Sequence, residues 1–119
     1  MGWLADQLTC DAFLGGLVHL YQPKAGFRAG VDTVMLAASV PAKAGQTLLD
    51  LGCGVGGASL CLAARVGGLH ITGVDVQAGY VDLARRNADH NGQSFEALTG
   101  DVGDLPASVR ARRFDHVIA

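Results

Sequence analysis

The segment "LLDLGCGVGG" places Gly52, Gly54, Gly56 and Gly57 within six positions, directly after an apolar run. Glycine lacks a side chain, so a ligand can approach the backbone there and the amino terminus of a following helix. A loop of this kind suits a nucleotide-like molecule. Gly52-x-Gly54-x-x-Gly57 also satisfies the dinucleotide fingerprint, and Asp75 lies 18 residues past Gly57, at the end of the next apolar run. A carboxylate at that position can accept a hydrogen bond from a ribose hydroxyl. Taken alone, the loop does not separate NAD from other adenosine ligands.

Asp50 tips the choice. It precedes the first glycine by two residues, and a carboxylate there repels a pyrophosphate. It attracts a cation instead, which favours S-adenosylmethionine, with its sulfonium and α-ammonium groups and no phosphate. Plainer roles stand beside these. Asp75 at a strand end can cap the next helix, and Asp101 in "TGDVGD" can be a turn residue with Asp104 equally acidic beside it. Cys53 reads as a space-filling residue of the loop, because nothing basic accompanies it to make a thiolate. His19, His70, His90 and His116 stand at no ligand spacing, so no metal is expected. Arg110, Arg112 and Arg113 form the basic cluster, either reaching for RNA phosphates or making a solvated face.

The elements that must hold these residues follow from periodicity. "TLLDLG", "LHITGVD", "SFEALTGD" and "FDHVIA" are apolar runs, and "ASLCLAARV" and "AGYVDLARRNADHN" between them have helical spacing, closed by Gly67-Gly68 and Gly92. Alternating strands and helices predict an α/β fold, a mostly parallel sheet with helices on both faces. Upstream, "LVHLYQ" predicts a short strand of a hairpin or arm, and Asp32 is expected to cap a helix over "TVMLAASV". We therefore divide the chain into an arm with its helix, 1–40, and a cofactor-binding core, 41–119. With 119 residues, half of them hydrophobic and 17% charged, one domain is expected. A net charge of -2 gives no global attraction to nucleic acid or anionic lipid. Three cysteines with no C-x-x-C pair point to a reducing cytoplasm, and no apolar run is long enough for a membrane span. "FDHVIA" reads as a buried central strand at the end of the sequence, which predicts an incomplete sheet or an edge covered by a second copy.

Asp50-x-Gly52-x-Gly54-x-Gly56, Asp75 after the second strand and Asp101 after the third resemble the successive cofactor motifs of class I methyltransferases, over about 47–119. The resemblance implies a Rossmann-like fold. It implies that Gly52, Gly54 and Gly56 pass beneath the methionine and ribose of S-adenosylmethionine, that Asp75 takes the ribose hydroxyls and that Asp101 faces the adenine amine. Cys53, Val76 and Val102, neighbours of those groups, join the candidate cofactor set.

Further upstream, "YQPKAGFRAGVDTVMLAA" looks like the segment before the first cofactor motif in adenine-N6 methyltransferases of a bacterial valine tRNA. Gly26-Phe27-Arg28 and Asp32…Leu36-Ala37 carry this match. It makes Arg28 and Asp32 candidates at the methionine end and tRNA the implied substrate; a plain helix cap and a surface arginine are their plainer readings. That family's Asn-Pro-Pro-Tyr signature follows a strand like "FDHVIA", and this sequence ends at Ala119. The expectation is a chain that forms most of a cofactor site and cannot complete methyl transfer by itself. Two other classes remain open: a noncatalytic cofactor-binding or self-associating module, and an NAD-binding Rossmann domain.

Overall fold

The computed structural model describes residues 2–26 and 28–119. An antiparallel hairpin comes first, β1 (Leu8–Phe13) and β2 (Val18–Pro23), with Cys10 opposite Tyr21. Helix α1 (Val31–Ser39) follows. The alternating part is β3 (Thr47–Leu51), α2 (Gly57–Arg65), β4 (His70–Asp75), α3 (Ala78–His90), β5 (Phe95–Thr99), the short α4 (Ala107–Arg110) and β6 (His116–Ile118). The strands of this part form one parallel sheet in the order β5-β4-β3-β6. The α/β expectation, a parallel sheet with helices on both faces, is therefore borne out.

The side chains of β3 and β4 alternate between two apolar layers, as strand geometry requires. Leu48 and Ile71 pack with Leu60 and Leu62 of α2 and Ala37 of α1. Leu49 and Val74 pack on the opposite face with Val109 of α4 and Phe114. The hairpin is built into the first layer through Val18 and Leu20, so arm and sheet share a core.

Two local expectations change. Helix α1 begins one residue before Asp32, with Gly30 as its cap residue. The Thr33 hydroxyl accepts from the Gly30 amide at 3.3 Å, so Asp32 lies in the first turn, where its charge meets the positive end of the helix dipole without capping it. The final strand is three residues long, not six, and it is the edge of the described sheet with Val117 57% exposed. The Asp115 carboxylate, which accepts from the Thr47 amide at 2.8 Å, marks where this strand meets β3.

Gly73 shows how tightly the first layer is filled. A Cβ there would stand 2.6 Å from the Phe95 ring and 2.9 Å from Cys53 Cβ, closer than carbon atoms tolerate. Gly73→Ala is expected to destabilise the fold by about 1–3 kcal/mol in urea unfolding. Adding Phe95→Leu should recover part of that loss, whereas independent, additive losses would place the strain elsewhere.

Candidate functional site

The chain runs from β3 outward through β4 to β5, then crosses back to place β6 on the other side of β3. Open parallel sheets bind ligands outside the carboxyl ends of their strands at such a reversal. A cavity of about 200 Å³ opens here, lined by Asp50, Gly52 and Cys53 from β3 and its loop, Asp32, Thr33 and Leu36 from α1, and Ala119 beyond β6, among others.

The loop after β3 is fastened residue by residue. The Val74 carbonyl accepts from the Gly52 and Cys53 amides at 2.7 and 3.0 Å, which folds the chain over the end of β4. Asp75 Oδ2 accepts from the Gly54 amide at 2.9 Å, and its Oδ1 accepts from the Gln77 amide at 2.9 Å. The cap position of α3 is Gln77, so Asp75 makes a turn before that helix rather than capping it. Each carboxylate oxygen keeps a further lone pair for a ligand hydroxyl. Gly52 and Gly54 have φ of +71° and +56°, and a Cβ on either would meet nothing within 4 Å. The loop thus combines a left-handed backbone, which favours glycine, with open space beside it.

Asp50 is 4% exposed. Its Oδ2 accepts from the Ser59 hydroxyl at 2.7 Å. Burial, augmented by the nearby charge of Asp75 and opposed by the Ser59 bond, pushes its carboxyl up to about 6. A positive group in the cavity would favour the ionised form. Cys53 is pushed up to about 12, by burial first and then by Asp50 and Asp75. It stays a thiol at neutral pH and fills space, as its surroundings in sequence suggest.

The other candidates are distributed around this centre. Asp32 lines the cavity. Val76 and Val102, beyond the ends of β4 and β5, are 66% and 47% exposed apolar side chains. Asp101 accepts from the Gly103 amide at 2.8 Å, as a turn residue does, and it is exposed. Arg28 is occupied with the hairpin: its guanidinium meets Asp11 Oδ2 and Thr9 Oγ1 at 3.0 Å and the Pro23 carbonyl at 2.6 Å. It steadies the approach to α1 and is not among the cavity residues. Phe27 of the upstream motif lies outside the described residues. Arg112 binds Glu96 at 2.8 Å and Thr72 at 3.1 Å, on the amino-terminal halves of β5 and β4, away from the glycine loop. No cluster of three or more His, Cys, Asp or Glu that could hold a metal exists among the described residues. Thr33, Leu36 and Ser59 were missed, although Thr33 and Leu36 follow Asp32 on the helical face that meets the cavity.

A family model described as a methyltransferase domain matches residues 48–119, more than half of the 119-residue chain. The chain belongs to this methyltransferase family. The matched segment begins in β3 and includes the whole glycine loop, Asp75 and Asp101. The tRNA1(Val) (adenine(37)-N6)-methyltransferase of Shewanella baltica is 31% identical over 111 residues, covering 90% of this chain and 46% of that protein. Ribosomal RNA small subunit methyltransferase C of Aeromonas hydrophila is 44% identical over 68 residues, 57% of this chain and 20% of its own length. Among solved structures, tRNA (uracil-54, C5)-methyltransferase of Pyrococcus abyssi, in complex with S-adenosyl-L-homocysteine, matches with a TM-score of 0.72 and 25% identity. That match covers 95% of this methyltransferase chain and 27% of the other. The chain therefore spans between a fifth and about half of the length of these curated relatives. Among the described residues, no helix is long and apolar enough to cross a membrane.

The Asp50 carboxyl gives the cavity a pH signature. Its folded value of about 6 lies above the unfolded 3.8, so the folded state holds this proton more tightly. The associated stability is full below about pH 4 and is lost as pH rises towards 6, by up to about 3 kcal/mol. Asp50→Asn, which keeps an acceptor for Ser59, is expected to stabilise the apo domain by about 1–3 kcal/mol at pH 7 and to flatten this pH dependence. Denaturant titrations between pH 4 and 8 would check it.

Proposed function

We propose that this chain is the S-adenosylmethionine-binding part of a methyltransferase acting on the exocyclic N6 amine of adenine in tRNA. The observation that carries the cofactor reading is the buried Asp50 carboxylate facing the cavity beneath a bare, left-handed loop. A pyrophosphate would meet negative charge there, and a sulfonium or ammonium would meet its complement. When bound, S-adenosylmethionine supplies an electrophilic methyl group.

The chain's own residues would then bind and orient. Asp50 and Asp32 face the positively charged methionine end, with Thr33 and Leu36 closing the cavity above it. Gly52 and Gly54 offer backbone with open space beside it, whereas a Cβ on Gly56 would stand 2.9 Å from the Phe95 ring, so Gly56 serves the packing of the loop. Cys53 packs with Val81, Ala84 and Ala97. Asp75 is placed to accept from the ribose hydroxyls with the lone pairs left over from its loop bonds. Val76 and Val102 offer apolar surface for an adenine ring, and Asp101 an acceptor for its amine. Arg28 acts at one remove, by holding the hairpin from which α1 departs. Methyl transfer neutralises the sulfonium, so charge is lost in the transition state and positioning is the main contribution expected of the protein.

The tRNA adenine reading is supported by the extent of the alignment. A match over 90% of this chain necessarily takes in β2 and α1, which the 68-residue ribosomal RNA match need not include. The same upstream residues carry the resemblance noted in the sequence. Three free cysteines, Cys10, Cys53 and Cys61, agree with a reducing cytoplasm as the compartment.

Calorimetric titration with S-adenosylmethionine, S-adenosylhomocysteine and NAD tests the cofactor reading. Binding of both sulfur compounds and none of NAD is expected; NAD affinity without theirs would overturn it. Asp75→Ala should weaken S-adenosylmethionine by about 2–4 kcal/mol, because two charge-assisted bonds to ribose are lost. Unchanged affinity would confine Asp75 to holding Gly54 and Gln77. For the substrate, the full-length protein with radiolabelled S-adenosylmethionine and unmodified tRNA should yield N6-methyladenosine on nuclease digestion. Label in protein or in another nucleotide would refute the adenine assignment.

A further inference from the structure

The hairpin pairs β1 with β2 and leaves the outer side of β2 without a strand beside it. In an antiparallel pair, alternate residues turn both backbone groups away from the partner strand. At His19 and Tyr21 those outward groups meet carboxamides of α3. Asn91 Oδ1 accepts from the His19 amide at 2.9 Å and its Nδ2 donates to the His19 carbonyl at 2.7 Å. Asn87 does the same at Tyr21, with Oδ1 accepting at 2.7 Å and Nδ2 donating at 3.0 Å. The spacings agree: four helical residues rise about 6 Å, and two strand residues span about 6.8 Å. Two side chains thus stand in for a neighbouring strand.

Asn87 also reaches the site. Its Nδ2 donates to the Val55 carbonyl at 2.9 Å, in the middle of the glycine loop. The side chain is fully buried, at 0% exposure. One acceptor bond and two donor bonds fix the orientation of the amide, since a flipped group would set N–H against N–H. Val74 and Asp75 hold the loop at Gly52, Cys53 and Gly54, and Asn87 holds the next residue from α3.

We propose that Asn87 is a positioning residue for the cofactor loop, fixing the Val55 carbonyl with the same amide that docks β2, so that the hairpin and the loop are set by one side chain. Its link to binding rests on the cofactor reading of the loop. Its structural part does not.

The test compares Asn87→Ala with Asn91→Ala, because the second frees β2 at His19 without touching the loop. Amide hydrogen exchange at Gly54 and Gly56 is expected to quicken about tenfold in Asn87→Ala and to change less than about twofold in Asn91→Ala. S-adenosylmethionine affinity should fall about tenfold in the first variant and less than about twofold in the second. Equal effects of the two variants on loop exchange, or no effect of Asn87→Ala, would overturn the proposal. Should Asn87→Ala not fold, Asn87→Ser, whose shorter neutral side chain cannot span Tyr21 and Val55 at once, gives the same contrast. If the unaltered chain binds no S-adenosylmethionine, the cofactor reading fails, and the exchange comparison still decides the role of Asn87.

Discussion

A carboxylate buried beside a loop without side chains is the constraint around which this chain is arranged. Asp50 is placed by β3, whose neighbours on both sides are parallel strands, and it cannot turn to solvent without leaving the sheet. The Ser59 hydroxyl donates to it, and that bond does not offset burial, since the carboxyl is still pushed up to about 6. The fold therefore holds an electrostatic cost that a correctly placed cation would relieve. This is how a site comes to prefer a charged ligand over a neutral one of the same shape: the free energy gained on binding includes the strain removed from the empty state.

The same region shows what was legible in the sequence and what was not. Strands β3, β4 and β5 and helices α2 and α3 announce themselves by period and by glycine punctuation, because local pattern and tertiary burial agree there. Asp50 and Asp75 stand at the carboxyl ends of β3 and β4, so their place on the ligand-binding side of the sheet follows directly. The start of α1 was misread because an aspartate before an apolar run is a good cap in general, whereas here Gly30 takes that position and Thr33 supplies the bond to its amide. The resemblance of the upstream segment makes Arg28 a candidate at the methionine end, with a surface arginine as its plainer reading. In space, it completes a knot with Thr9, Asp11 and Pro23. The Thr9 hydroxyl first, then Gln22 and Arg28, hold the Asp11 carboxyl below its ordinary range, and the Arg28–Asp11 ion pair at 3.0 Å ties β1 to the chain just before α1.

The least legible residues are those whose role depends on the hairpin crossing the helices. Nothing in "RRNADHNG" distinguishes Asn87 and Asn91 from ordinary polar positions near a helix end, because their partners are 66 and 72 residues away. Their spacing of four has meaning only once β2 is known to run beside α3. Long-range polar pairing of this kind leaves no periodic trace, whereas apolar burial does.

That difference bears on how the arm and the sheet cooperate. Apolar contacts of Val18 and Leu20 hold the hairpin on the core, and because side chains alternate along β2 a one-residue slip would turn both outward. The amide ladder reinforces that register, because the same slip would turn the outward N–H and C=O groups of β2 away from both asparagines. Once register is fixed, Gln22 reaches the Ala29 amide at 2.6 Å, and the chain enters α1 at a defined place. Asp32, Thr33 and Leu36 then face the cavity opposite Asp50. Apolar burial thus brings the arm to the sheet, and a few directional polar bonds decide where the cavity's second wall stands.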